Sequence, residues 1–279
     1  MTPSRLPAST HKLRGFEAVV KHVHSRPKAD SLLNLLGRMS RGENSDFERL
    51  TLANPDVFRL ALHGMSVGAY GCQPQTFSSI HDAVQAMGVV SVNHCVTASA
   101  YLLLCVELCR DTHVAPKPFF KHSFVMAKLG EKLTEPHNTG FFSGMLHNIG
   151  LPVMASCFAD KYSAVHDAAL LTGNLPGTEA SKLGIDHQTA GLNILIEYGF
   201  PNEVCECAAL HHKPVNRIPA NARINCVVLR LVSEAGISSG VEPLCDPMAE
   251  TDLQDFGINR SSALECIRQF DSSIKLLAG

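Results

Sequence analysis

The chain has 279 residues, 45% of them hydrophobic and 18% charged, enough for one large domain or two small ones with real cores and too apolar for a disordered segment. Lys plus Arg total 24 against 26 Asp plus Glu, a net charge of −2, so no basic field advertises nucleic acid as a partner. Ten cysteines occur without a single C-x-x-C spacing, aromatics are only 6% and Trp is absent. The cysteines read as reduced, buried small hydrophobes of a cytoplasmic protein, and the Leu, Ala and Val content suits helix packing.

Residues 1–28 carry Arg5, Lys12, Arg14, Lys21, Arg26 and Lys28 with no apolar run among them. They read as a loose tail or a short preface helix, not a signal peptide. Leu32, Leu33, Leu35, Leu36 and Met39 have helical spacing and end at a turn, Arg41-Gly42-Glu43-Asn44. Asn54 is an N-cap with Pro55 at the first helical position. Val57, Phe58, Leu60, Ala61 and Met65 follow as an apolar face, broken up by Gly64, Gly68 and Gly71. Ser79 or Ser78 caps the next helix. From Ala83 to Val106 there is no Asp, Glu, Lys or Arg, but Gln85, Asn93 and His94 fit a buried helix or helix pair better than a membrane span.

Pro116 and Pro118 mark a joint. Beyond it the pattern predicts helices over 119–133 with His122, over 140–158 with His147 and a kink at Pro152, and over about 160–171. Thr178-Glu179 opens the next piece. Asp186 caps a helix over 187–198, Gly199 ends it and Pro201 starts another, which runs to His211-His212-Lys213-Pro214. Ile224–Ala235 and Ser262–Leu277 read as the last two helices. No period-2 run is found, so the fold class is all-α.

Gly144-Met145-Leu146-His147-Asn148-Ile149-Gly150 resembles a metal-phosphohydrolase motif in which the His is followed at once by Asp. Lys121-His122-Ser123 resembles a His-Ser element. Leu183-Gly184-Ile185-Asp186-His187 with Glu179, and Ala208-Ala209-Leu210-His211-His212 after Pro201, follow in the matching order. On the N-terminal side Asn54-Pro55-Asp56-Val57, Met65-Ser66 and Ser79-Ile80-His81-Asp82-Ala83-Val84 with Met87-Gly88 add to the pattern. Together these resemble the HDOD proteins, a bacterial offshoot of the HD-domain phosphohydrolase superfamily related to the HD-GYP phosphodiesterases, over roughly residues 30–240.

The resemblance implies a multi-helix HD-like fold with an N-terminal helical lobe. It divides the chain into a tail or preface helix (1–28), an N-terminal lobe (29–115) and an HD-like lobe (116–279), with 28–240 together forming the HDOD domain. It also implies a metal site of His122, His147, His187, His211 and His212, beside a cleft with Asn148, Glu179, Asp186 and Lys213.

The departures from the pattern shape the expected function. Asn148 stands where the motif has Asp. The best register of the late helix puts Leu229 where a last Asp is needed, and no Asp lies between 187 and 245. Lys213-Pro214-Val215-Asn216 replaces the Gly-Tyr-Pro signature. Two divalent ions would then carry roughly +4 against neutral imidazoles alone, and their repulsion disfavours the second. The expected cofactor is one transition-metal ion or none, and no residue is assigned a catalytic role. The expected function is a non-catalytic regulatory module in a bacterial cytoplasm, contacting a protein partner in a signalling pathway or sensing a small nucleotide or anion, without a membrane. The alternative is a metal-dependent phosphohydrolase acting on a nucleotide or cyclic dinucleotide with a carboxylate borrowed from Glu179 or Asp186. Each residue also has a plainer role: His122 as a core histidine, Asn148 satisfying buried backbone groups, Glu179 and Asp186 as caps, and His211 and His212, about 100° apart on a helix, facing different ways. His11, His22, His24, His63, His81, His94, His113, His137 and His166 read as surface or packing residues.

Overall fold

The structure, a computed structural model, describes residues 10–43, 47–134, 137–214, 218, 220–242 and 248–275. The first nine residues of the expected tail, Val215-Asn216 and Leu277 lie outside them. Among the described residues there are helices and no strand. The N-terminal part runs α1 (Thr10–His24), α2 (Pro27–Ser40), α3 (Phe47–Ala53), α4 (Pro55–Ser66), α5 (Ile80–Met87) and α6 (Val89–Cys109). After the proline joint come α7 (Pro116–Leu133), α8 (His137–Leu146), α9 (Gly150–Cys157), α10 (Ala159–Thr172), α11 (Leu175–Leu183), α12 (His187–Glu197) and α13 (Asn202–Leu210). The chain closes with α14 (Ala220–Glu234), α15 (Glu250–Gln254) and α16 (Arg260–Ile274).

Most starts follow the local chemistry. Proline occupies the first turn of α2, α4 and α7, where its missing N–H is one that no helix could satisfy. Ser79 caps α5 by accepting from the Asp82 N–H, and Asp186 caps α12 by accepting from the Thr189 N–H at 2.7 Å. Gly88, at φ +82°, breaks α5 from α6 in a conformation that a side chain would resist. Helix α6, without a charged residue until Glu107 in its last turn, is buried along most of its length and is long and apolar enough to cross a membrane. Here it packs on α2, α4, α7 and α9 at the centre of the molecule.

Two boundaries differ from the sequence reading. No kink falls at Pro152; the chain breaks instead at 147–149, between α8 and α9, and Pro152 sits in the first turn of α9, where proline costs nothing. Thr178-Glu179 does not open a helix. Asn174 caps α11 by accepting from the Gly177 N–H, which leaves Glu179 on the second turn, pointing inward and fully buried.

One large hydrophobic cluster joins α1, α2, α4 and α6 to α7–α13 through residues such as Leu33, Tyr101, Phe119, Phe141 and Ile194. A second forms on the opposite face of α7, where Val125, Met126 and Leu129 meet α14 and α16. Helix α7 therefore has both faces committed, and His122 on it is held between two cores. Close backbone approach sets the neighbours of α7 and α9. A Cβ on Gly144 would stand 2.5 Å from the Met126 carbonyl carbon, and one on Gly150 would stand 1.9 Å from the His187 carbonyl oxygen. The helix pairs α7–α8 and α9–α12 thus touch through glycine, which brings His122, His147 and His187 near one another.

Candidate metal centre

Five histidines converge from four places. His122 comes from α7, His147 from the break after α8, His187 from the first residue of α12, and His211 and His212 from the turn that ends α13. Ring centroids of His122–His147, His147–His211 and His187–His211 are each 5.3 Å apart. The adjacent pair both face the centre from the turn that follows Leu210, where α13 ends. Their Nε2 atoms lie 3.3 Å (His211) and 3.1 Å (His212) from Nε2 of His187.

The other ring nitrogen is spoken for in four of the five. Nδ1–H donates to the Ile237 carbonyl in His122 (2.9 Å), to Gly144 in His147 (2.8 Å), to Ala208 in His211 (2.9 Å) and to Glu179 Oε2 in His187 (2.6 Å). A carbonyl or carboxylate can only accept, so Nδ1 carries the proton and Nε2 of a neutral ring presents a lone pair to the centre. Nε2 of His122 and Nε2 of His147 then face each other at 3.3 Å. Opposed lone pairs at that distance repel unless a positive species lies between or beside them.

Sequence reasoning missed one member of the centre. Glu242 reaches in from the segment after α14, and its Oε1 lies 2.6 Å from His212, 3.6 Å from His187 and 3.8 Å from His211 Nε2. The sequence reading sought an Asp on the late helix itself, where Leu229 is instead a core residue. The carboxylate comes from a turn eight residues past the end of that helix, a position with no periodicity to mark it. Gly236 and Gly240, both at positive φ, were the one signal of a chain reversal there. The histidines are therefore not without a protein counter-charge.

Asn148 also differs from its expected part. Its Nδ2 donates to Glu242 Oε2, not to backbone, and its buried Oδ1 has no partner among the described residues. Glu179 is wholly buried, accepting from the His187 backbone N–H, from His187 Nδ1–H and from the Tyr162 hydroxyl. It orients His187 and does not reach the centre itself. Asp186 is spent as the α12 cap, and Lys213 is exposed beyond the pair.

Two donor sets result, one of His187, His211, His212 and Glu242 and one of His122, His147 and Glu242, with the donor atoms in each within 4.8 Å of one another. Donors on a tetrahedron of radius about 2.05 Å stand about 3.3 Å apart, and in the first set distances among His187, His211, His212 and Glu242 bracket that value, from 2.6 Å to 3.8 Å. The orphaned Asn148 Oδ1, the opposed lone pairs and the buried carboxylate all fit a transition-metal ion with imidazole ligands. Burial, with the charges of its histidine neighbours, holds the His147 imidazole well below its ordinary range. Burial and His212 press His211 down to about 4. Burial also works against charge on His187, but Glu179 and Glu242 outweigh it and raise that ring. Burial would raise the Glu242 carboxyl, yet the charge of His212 and the bonds from both His211 and His212 hold it well below the usual range. Glu242 is thus an anion among mainly neutral donors.

No curated protein matches the chain in sequence. Among solved structures it is similar to an HDOD domain protein of unknown function from Geobacter sulfurreducens, at 15% identity and TM-score 0.61 over 89% of this chain and 86% of that one. It is similar to a candidate phosphohydrolase from Shewanella amazonensis SB2B at 16% identity and TM-score 0.64, over 93% and 98%. A candidate signal transduction protein from Marinobacter aquaeolei VT8 shares 17% identity and TM-score 0.62, over 99% of this chain and 62% of that one. At such identities the likeness is one of fold. The sequence model of the HDOD domain, however, matches residues 68–214, more than half of the chain and the stretch that supplies all five histidines, so the chain belongs to the HDOD family.

Proposed function

We propose that the protein is a regulatory module of a bacterial signalling pathway, cytoplasmic and acting through a protein partner, with a buried metal-binding centre in place of an open catalytic one. The observation that carries this reading is the convergence of imidazole lone pairs and one carboxylate where solvent scarcely reaches. His122, His147, His187 and His211 are each 3% exposed or less, and of the donors only His212 has substantial access, its side chain 22% exposed. The set His187, His211, His212 and Glu242 offers four protein donors, as closed structural sites do, while catalytic sites keep a position open. A bound divalent ion would supply a fixed positive charge there, and the chain's part is to hold four donors round it and to tie Glu242 in place. A nucleotide-sized substrate needs a pocket of hundreds of cubic ångströms, and four donors this deeply buried leave little surface for one.

A second reading, a metal-dependent phosphohydrolase, is favoured by one observation. Glu242 belongs to both donor sets, as the bridging carboxylate of a two-metal hydrolase would. Elemental analysis of tag-free protein, run beside hydrolysis assays on a cyclic dinucleotide and bis-p-nitrophenyl phosphate, separates the two. About one equivalent of metal, lost in His187→Ala and accompanied by no turnover, is the expected result. Two equivalents with turnover abolished in His147→Ala would overturn the regulatory reading, and metal-free protein would overturn the metal centre.

A further inference from the structure

A cavity of about 460 Å³ lies between α6, α7, the end of α16 and the segment 236–240. Its walls are apolar, with Leu102, Phe120 and Ile274 among them, and three lysines border it: Lys117, Lys121 and Lys275. One carboxylate serves two of the cations. Asp271 lies 2.8 Å from Lys121 Nζ and 3.1 Å from Lys275 Nζ. Lys117 has no carboxylate partner among the described residues. Three cations against one anion leave an excess of positive charge beside a greasy hollow. The volume is that of an ordinary small-molecule site, and an apolar lining with a few polar groups placed at one side is how such sites orient a ligand.

The segment 236–240 has a second face. Gly236, Ser238 and Gly240 line the cavity, while the Ile237 carbonyl between them accepts from His122 Nδ1–H. The same segment leads directly into Glu242. Ser239 Oγ accepts from the Glu242 N–H at 3.1 Å, and Ser238 Oγ accepts from the Gly240 N–H at 3.0 Å. The turn is tied to itself over 238–242 and to the end of α14 through the Gly236 and Ile237 N–H groups, so its cavity side and the residues that meet His122 and Glu242 belong to one connected segment.

We propose that this cavity binds a small amphiphilic anion, its apolar body inside and its carboxylate or phosphate against Lys117, Lys121 and Lys275, and that occupancy alters the histidine–glutamate centre through residues 236–242. The binding site stands on its own observations; the coupling rests on the metal-binding reading above. Charge complementarity selects the ligand class. A neutral apolar molecule would leave the lysines' excess charge unanswered, and a purely polar anion would leave the apolar walls wet.

Calorimetric titration of sodium decanoate into the full-length protein, with EDTA and separately with one equivalent of zinc, tests both parts. Saturable binding of one decanoate per chain is expected, weakened about tenfold or more in Lys117→Glu/Lys275→Glu and by added salt. Both lysines are exposed, so the double variant keeps its core, and a wild-type circular dichroism spectrum verifies this. Decanol binding as tightly as decanoate, or decanoate binding unchanged in the double variant, would overturn the site. Because coupling is reciprocal, decanoate affinity with zinc should differ from that with EDTA by the factor that decanoate changes zinc affinity. Equal values with zinc bound would overturn the coupling and leave the site. Protein that binds decanoate but no zinc would overturn the metal reading alone.

Discussion

Replacing Glu179 separates the charge of a buried carboxylate from its shape. Glu179 is fully buried. Its Oε2 accepts from the His187 backbone N–H at 2.8 Å and from His187 Nδ1–H at 2.6 Å, and the other oxygen accepts from Tyr162. In Glu179→Gln the amide oxygen can still accept both His187 donors, and the tyrosine hydroxyl can turn to accept from the amide nitrogen. What goes is charge assistance, about 1 kcal/mol for each of the two His187 bonds, partly offset because an amide is cheaper to bury. The net loss should be about 1–2 kcal/mol, a melting-point drop of roughly 2–4 °C. Glu179→Ala strands three donors and opens a void, so about 4–5 kcal/mol should be lost. Zinc affinity, measured by competition with a chelating dye, should fall about 10–100-fold in Glu179→Gln, since the carboxylate's charge makes the His187 ring that donates to it a more basic ligand. Thermal unfolding in EDTA keeps the two effects apart. Wild-type zinc affinity in Glu179→Gln, or a loss under 1 kcal/mol in Glu179→Ala, would refute this account.

Glu131 is held at about 2: burial works to raise it, but the His94 bond and the Lys128 charge prevail. A folded value below the unfolded one stabilises the protein above about pH 4.5, and that contribution is lost as pH falls toward 2, roughly 2–3 kcal/mol in all; urea midpoints against pH should flatten over this window in Glu131→Gln. Gly150→Ala puts a methyl into the His187 carbonyl, so α9 and α12 must part; a loss of about 2–4 kcal/mol with weakened zinc binding is expected, and a melting point within 2 °C of wild type, a shift of about 1 kcal/mol or less, would sink the steric argument. Cys72 is partly exposed, and the thiol of Cys95 beside it lowers it to about 6, whereas burial raises Cys157 to about 11. Iodoacetamide at pH 7.5 should label Cys72 first, and equal labelling of Cys157 by peptide mapping would contradict that order.

What the sequence conveyed depended on whether a residue's role left a local trace. Helix starts at Pro55, Ser79 and Asp186 are written in the residues at the first turn, so they were legible, whereas α2 begins at Pro27, four residues before the apolar pattern that marked it at Ser31. The break at 147–149 was not, because it is imposed by the backbone contact of Gly150 with His187, a tertiary event, while the visible proline two residues later was harmless. The five histidines stood out because they fall in recognisable order. Glu242 did not, since a glutamate in a polar turn looks like any solvated charge until the fold carries it into a core. Glu179 looked like a cap for the same reason: its burial is decided by where Asn174 starts α11.

Asn148→Asp puts the reasoning about the centre to its strictest test, because its sign should depend on metal. In wild type the Asn148 amide donates to Glu242. An Asp there removes the donor and sets two carboxylates in contact, a repulsion of about 5 kcal/mol at 3 Å and an effective dielectric of 20. The pair can relieve this by keeping one proton, which at pH 7 costs about 4 kcal/mol for an acid of ordinary pKa, and any proton taken up by His122 or His147 lowers the cost further. A loss of about 2–4 kcal/mol in EDTA is therefore expected. With saturating zinc the added anion faces a cation, so the same variant should bind metal more tightly than wild type, take up a second equivalent, and gain more stability from zinc than wild type does. A variant that loses the same stability with and without zinc would mean that the opposed lone pairs of His122 and His147 do not mark a place for a cation.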